Sequence, residues 1–177
     1  MIMGHFIKRE LESMFLHRFS SQTMPAKNLI VNCSYYWLLN GLFIGYFLFS
    51  PKYTDPELKS WLFKCLIGVF TGAEIMNFLC HLHLRNLRPP GTKARGIPKG
   101  LGFNLVSCAN YFWEVVAWAG FAGLTKCVPA YVFLGATVFI LSKWSKARHR
   151  RYIKEFDGKE GNPLYPKSRK ALIPFII

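Results

Sequence analysis

Acidic residues are the scarcest class in this 177-residue chain: nine Asp and Glu stand against 23 Lys and Arg, for a net charge of +14. Cysteine is scarce too. Five is an odd number, and Cys33, Cys65, Cys80, Cys108 and Cys127 lie in or beside apolar stretches without metal-ligand spacing. That excludes a disulfide scaffold. His81 and His83 are two residues apart and point to different sides of a helix, so no metal site is expected. Gly96, Gly100 and Gly102 miss the G-x-G-x-x-G spacing and follow no strand, which excludes a Rossmann phosphate loop. No Ser/His/Asp order and no internal repeat stands out. The opening MIMGHFIKRELE lacks a small-residue cleavage pattern, so no leader peptide is expected.

What the chain has in excess is apolar surface. Hydrophobic residues make up 51%, and the 14 glycines raise the apolar share to about 59%, above the roughly 45–50% of soluble domains. Aromatics at 16% exclude disorder. Leu29–Ser50 is 22 residues without a charge, about 33 Å as a helix and enough for a bilayer core of about 30 Å. Trp61–Cys80 carries only Lys64 and Glu74, Leu101–Leu124 only Glu114, and Cys127–Ser142 no charge, with Trp144 an interface anchor. Lys126 and Pro129 leave a tight turn before the last run.

The segments between these runs alternate. Arg18 and Lys27 precede the first, Pro51–Ser60 is charge-balanced, and His81–Gly100 holds Arg85, Arg88, Lys93, Arg95 and Lys99 without an acid. Lys126 is the only charge between the last two runs, and Lys143–Lys154 holds six basic residues and no acid. Basic, neutral, basic, neutral, basic predicts four spans with both termini cytosolic. The expected fold is all-α, a polytopic transmembrane helical bundle in one membrane domain. Residues 1–28 form an amphipathic helix and linker, 29–144 four membrane spans, and 145–177 a basic cytosolic tail. Phe6, Leu11, Phe15 and Phe19 supply the apolar spacing of the helix at His5–Phe19. Membrane lipid is an expected partner and nucleic acid is not.

Polar residues inside the spans are costly and face a protein interior or a wet cavity. Asn104, Ser107, Asn110, Tyr111 and Glu114 form one stripe if the third run is helical throughout. The first two read as interhelical glue, Glu114 as part of a pocket. Asn77, His81, Arg85 and Arg88 share a second helix face that leads into the basic connection. Arginine forks there suit a polyphosphate entering from the cytosol, while anionic headgroups suffice for Lys93 and Lys99. In the tail, Arg148, His149 and Tyr152 continue the fourth helix, as a phosphate-binding surface or a polybasic lipid anchor.

The strings HFIKRELESMFLHRFS (5–20), RNLRPPGTKARGIPKG (85–100), VSCANYFWEVVAW (106–118), HRRYIKEF (149–156) and YPKSRKALIPFII (165–177) together resemble the steroid 5α-reductase family. The closest likeness is to its very-long-chain trans-2-enoyl-CoA reductase branch. The resemblance implies NADPH-dependent reduction of a double bond conjugated to a carbonyl, in the endoplasmic reticulum membrane. In this branch that is the last step of a fatty-acid elongation cycle, with an acyl-CoA substrate and other elongase subunits as partners.

It further implies Tyr111 and Lys8 as catalytic residues. Glu114 and Asn110 fall at the nicotinamide side, and Asn77, Arg85, Arg88, Arg95, His149, Tyr152 and Arg169 around the adenosine, ribose and phosphates. Members of the family begin earlier than this chain, with further membrane helices. Phe6 stands where relatives commonly have Tyr, which shifts an acid role onto Tyr111. His81 in place of Asp, RPPGTK and FDGKEGNPLYP are like the enoyl branch; YPKSRKALIPFI is like the steroid branch. Three alternatives remain open: steroid 5α-reduction, a methyltransferase of related membrane fold, and a truncated non-catalytic elongase subunit.

Overall fold

The structure is a computed structural model that describes residues 1–18, 23–92, 94–159 and 161–177. Phe19 of the expected apolar stripe and Lys93 of the basic connection lie outside the described residues. Helices dominate: α1 (Ile2–Leu11) runs on as a π-helical turn (Glu12–Leu16), and α2 (Ala26–Cys33) runs through a π-helical stretch (Ser34–Ile44) into α3 (Gly45–Leu48). Then come α4 (Ser60–Asn86), α5 (Ala109–Thr125) and α6 (Val128–Glu155). Among the described residues there is no β-strand, only two isolated bridges, Val106 with Lys170 and Asp157 with Leu164.

Two helices, α4 and α6, are long and apolar enough to cross a membrane by length and composition. At 27 and 28 residues they extend about 40 Å. Their partner α5 is shorter because the third apolar run is not helical from its start. Gly100, Leu101 and Gly102 have φ of 71°, 52° and 94°, a left-handed backbone that ends any helix. Residues 101–107 therefore form turns, and Asn104 and Ser107 are not on the α5 stripe that the apolar run predicts. Asn104 instead accepts from the Gly100 amide at 3.1 Å. The tight turn after α5 is present, with Lys126 left-handed at φ 48° and Pro129 in the first turn of α6.

α4 and α5 pack closely because small residues line their contact. A Cβ on Gly120 would meet the Phe70 backbone nitrogen at 3.3 Å and the Leu66 carbonyl oxygen at 3.4 Å. Phe70, Ala73, Ala117, Trp118, Phe121 and Phe133 form the main core with Ile44. Tyr35 ties the π-helical stretch to α6 by stacking on Phe133 with centroids 4.6 Å apart and meeting Thr137 at 2.5 Å.

Two features add to what the sequence set out. The helix at the N-terminus is amphipathic with its polar side inward: His5 and Glu12 are 3% and 2% exposed, whereas Leu11 and Phe15 are 49% and 74% exposed. The C-terminal tail folds back rather than trailing away. Lys170 donates to Leu105 at 2.9 Å and Ser107 to Lys170 at 2.8 Å, and Tyr165 and Leu172 are buried. A tail pinned this way is a strap over the α5 entrance.

Candidate active site

The basic connection, the polar side of α1, the first turn of α5 and the C-terminal half of α6 converge on one cavity of about 430 Å³. Arg85, Arg88 and Arg95 line it as the sequence suggested, joined by Arg9, Arg18, Arg148 and Arg151. Tyr111, Asn110, Tyr152, His17 and His81 complete the polar lining. Backbone carbonyls fix several of the cations. Arg18 donates to the carbonyls of Arg85, at 3.2 Å, and Arg88, and Arg88 donates back to that of Arg18 at 2.5 Å. Arg95 pairs with Glu155 at 2.9 Å, which joins the basic connection to the end of α6.

Tyr111 sits on the first turns of α5. Its hydroxyl accepts from Arg148 Nη2 at 2.9 Å, and the guanidinium lies 4.8 Å from its ring centroid. Beside it Asn110 is 4% exposed, and its Oδ1 has no partner among the described residues. An orphaned buried acceptor costs about 1–3 kcal/mol unless a ligand donates to it. Many arginine donors together with one free amide acceptor fit a dinucleotide that carries phosphates and a carboxamide.

Deeper, a polar ring joins α1, α4 and α5. Lys8 Nζ donates to Asn77 Oδ1 at 2.6 Å and pairs with Glu74 Oε2 at 2.7 Å. Asn77 Nδ2 donates to the Asn110 carbonyl at 2.8 Å and to Glu114 Oε2 at 3.1 Å. His5 completes the ring, with Nδ1 2.8 Å from Glu74 and Nε2 3.3 Å from Glu114. The two catalytic candidates are thus held by different partners, Lys8 in the ring and Tyr111 by Arg148.

Not every predicted site residue lines the basic cavity. Lys8, Asn77 and Glu114 belong to the ring behind it. His149 meets Ser107 at 2.6 Å, and Ser107 meets Tyr165 at 2.7 Å. Arg169 donates to the Pro98 carbonyl at 2.8 Å and covers the Tyr165 ring at 5.3 Å. These two hold the strap. Sequence reading missed His5, Arg9, Glu12 and Arg18. Their one signal was position: all lie within the first quoted string, on the polar side of α1 and just beyond it.

Glu12 shows how charged this mouth is. Burial alone would raise its carboxyl, but the hydrogen bond and charge of His81, with Lys8 and Arg9, hold it down at about 2. The neighbouring His17 is pushed down to about 4, by burial first and then by the charges of His81 and Arg9. Glu12, His17 and His81 have ligand atoms within 4.8 Å of one another. Arg9, 2.9 Å from Glu12 and 3.4 Å from His81, brings a fixed cation to that place.

A second cavity, about 610 Å³ and mostly apolar, lies between α1 and the Ser34–Leu48 helix. Phe6, Tyr36, Trp37, Ile44 and Phe49 line it, and Arg9 and Ser13 border both cavities.

Comparison with known proteins places this architecture. The 3-oxo-5-alpha-steroid 4-dehydrogenase family pattern matches residues 22–177. A Schizosaccharomyces pombe protein provisionally named an enoyl reductase is 46% identical over 177 residues, all of this chain and 58% of that protein. A very-long-chain enoyl-CoA reductase of Dictyostelium discoideum is 44% identical over 175 residues, 98% of this chain and 55% of that protein. The human trans-2,3-enoyl-CoA reductase-like protein is 29% identical over 178 residues, 98% of this chain and 47% of that protein. The chain thus spans about half the length of the curated relatives it matches. With the match running from residue 22, ahead of the first apolar run, to the end of the strap, the chain belongs to the 3-oxo-5-alpha-steroid 4-dehydrogenase family.

Proposed function

We propose that this chain is the nucleotide-binding membrane part of a very-long-chain trans-2-enoyl-CoA reductase, multi-pass in the endoplasmic reticulum membrane with its basic face toward the cytosol. The observation that carries the reading is the arginine-lined cavity with Tyr111 in its wall, bordered through Arg9 by an apolar groove. A CoA thioester of a long acyl chain has the same two halves, a polyphosphate and an apolar chain. The names of the relatives support the enoyl-CoA reading over the steroid one. The four helical stretches, at the four expected span positions, support four crossings.

NADPH, when bound, supplies the hydride that reaches Cβ of the enoyl thioester. Arg85, Arg88, Arg95 and Arg148 would hold its phosphates by charge-assisted hydrogen bonds, and cations around a 2′-phosphate would favour NADPH over NADH. The free Asn110 Oδ1 would accept from the carboxamide. Tyr111 accepts from Arg148, which leaves its own hydroxyl proton for the thioester oxygen, where negative charge develops. Lys8 adds positive charge on the ring side, and the groove takes the acyl chain. The proton that Cα takes up is supplied from water through the polar mouth.

An assay of the intact protein in lipid, with NADPH and either a very-long-chain enoyl-CoA or a 3-oxo-Δ4-steroid, tests this. Saturated acyl-CoA as product supports the reading. Steroid reduction without enoyl-CoA reduction overturns it in favour of the steroid branch. Turnover of neither favours the non-catalytic elongase subunit, and S-adenosylmethionine bound in the cavity favours the methyltransferase.

A further inference from the structure

One polar group in the apolar groove has no role so far. Asn40, in the π-helical stretch, lines that groove and is 2% exposed. Its Nδ2 is buried and meets no acceptor among the described residues. A buried amide donor left unpaired is costly in apolar surroundings. Those surroundings are apolar here: Ile44 follows one turn later on the same wall, and Phe6 of α1 lines the groove with them. Gly41 and Gly45 complete that wall. A Cβ on Gly45 would meet no atom within 4 Å, so the wall leaves room for a ligand. Asn40 also stands near the joint between the two cavities. It follows Tyr36 by four residues, about one helical turn, and the Tyr36 and Phe6 rings have centroids 6.0 Å apart. Three residues beyond Phe6 is Arg9, which borders both cavities. A ligand must offer Asn40 a hydrogen-bond acceptor, and an unbranched acyl chain has one, the thioester carbonyl oxygen. The thioester is also where the polar carrier gives way to the apolar chain.

We propose that Asn40 is a substrate-recognition residue whose side-chain amide donates to the carbonyl oxygen conjugated to the reducible double bond. This rests on the reductase reading and deepens it. A carbonyl oxygen has two acceptor positions, so Asn40 acts from the groove side and Tyr111 from the cavity side. Negative charge grows on that oxygen as hydride reaches Cβ, and a donor already in place stabilises it. Phe6, also in the groove lining, has no donor to offer. A 3-oxo-Δ4-steroid presents the same chemistry, a conjugated carbonyl on an apolar body, and would use the same bond.

Ligand binding to the intact protein in lipid nanodiscs tests this without turnover. Two ligand pairs differ at the carbonyl alone. One is a very-long-chain trans-2-enoyl-CoA against the thioether with CH2 in place of C=O; the other is a 3-oxo-Δ4-steroid against its 3-deoxy analogue. Wild type is expected to prefer the carbonyl member of the CoA pair by about tenfold or more, and Asn40→Leu to bind both members within about threefold of each other. The unfolding midpoint is the control. Loss of an unpartnered donor is expected to leave it unchanged or raise it. A midpoint lowered in both Asn40→Leu and Asn40→Ala reveals a partner inside the protein and overturns the proposal. A preference that survives in Asn40→Leu overturns it too, as does a wild type indifferent to the carbonyl in both pairs. A preference confined to the steroid pair and abolished in Asn40→Leu leaves Asn40 in its role and overturns the enoyl-CoA reading.

Discussion

The buried Arg169 donates to the carbonyl oxygen of Pro98 at 2.8 Å, across 71 residues of chain. This bond ties the C-terminal strap to the basic connection and draws the guanidinium away from the cavity. Arg88, by contrast, lines the cavity itself. The two arginines carry the same charge, yet they have different consequences.

Arg88→Ala is expected to weaken NADPH about tenfold, and to weaken NADH less, because a phosphate partner is lost. Arg169→Ala is expected to weaken both nucleotides equally, through a loosened strap. Isothermal titration with the two nucleotides checks this. A loss confined to NADPH in Arg169→Ala contradicts the placement.

Ser107→Ala removes the hydroxyl that lies between His149 and Tyr165 at 2.6 and 2.7 Å. Tyr165 stays buried and His149 half-buried without it, so a loss of about 1–3 kcal/mol is expected. In detergent this appears as a lowered unfolding midpoint, accompanied by faster proteolysis after residue 156. Tyr165→Phe removes one of the two bonds and is expected to cost less.

Gly120→Leu inserts a side chain where α4 backbone atoms lie at 3.3 and 3.4 Å from even a Cβ. Backbone on a packed helix cannot swing aside as a side chain can, so overpacking of at least about 1–3 kcal/mol is expected. Folded yield and thermal midpoint measure it. Gly135→Leu is the control, because no atom comes within 4 Å of a Cβ there.

The mouth of the cavity makes stability depend on pH. Glu12 has a folded value of about 2 against 4.5, so its contribution is present above about 4.5 and is lost as pH falls toward 2. His17 has a folded value of about 4 against 6.5. The unfolded chain binds its proton first, so stability declines as pH falls from 6.5 to 4 and levels off below. Glu12→Gln is expected to flatten the lower limb, and His17→Gln the upper one. Unfolding midpoints measured across this range read both.

Much of this molecule was legible in the sequence. The charge-free run at 29–50, the apolar runs at 61–80 and 127–142, and the turn at Lys126 all became helices and a turn at those places. The start of α5 was not, because Leu101–Val106 is as apolar as a span, and counting apolar residues is blind to the positive φ of Leu101 and Gly102. Which side of α1 faces inward was not legible, for a physical reason. Apolar periodicity marks the buried face only where the outside is water, and here the polar residues face in. Arg85, Arg88 and Arg95 could be read from one acid-free segment. His5 and Glu74, 69 residues apart, share no spacing; the one clue was a carboxylate inside an apolar run.

The central claim is that Tyr111 serves a reduction in which hydride arrives at Cβ of an enoyl thioester. The direct measurement is single turnover by the intact protein in lipid, using NADPH deuterated at the transferring position and a very-long-chain trans-2-enoyl-CoA, for wild type and Tyr111→Phe. The account predicts one deuterium at Cβ and solvent hydrogen at Cα. It also predicts a rate at least about 100-fold lower in Tyr111→Phe, with NADPH affinity within a few-fold. An undiminished rate in Tyr111→Phe, or a saturated product without deuterium at Cβ, would contradict it.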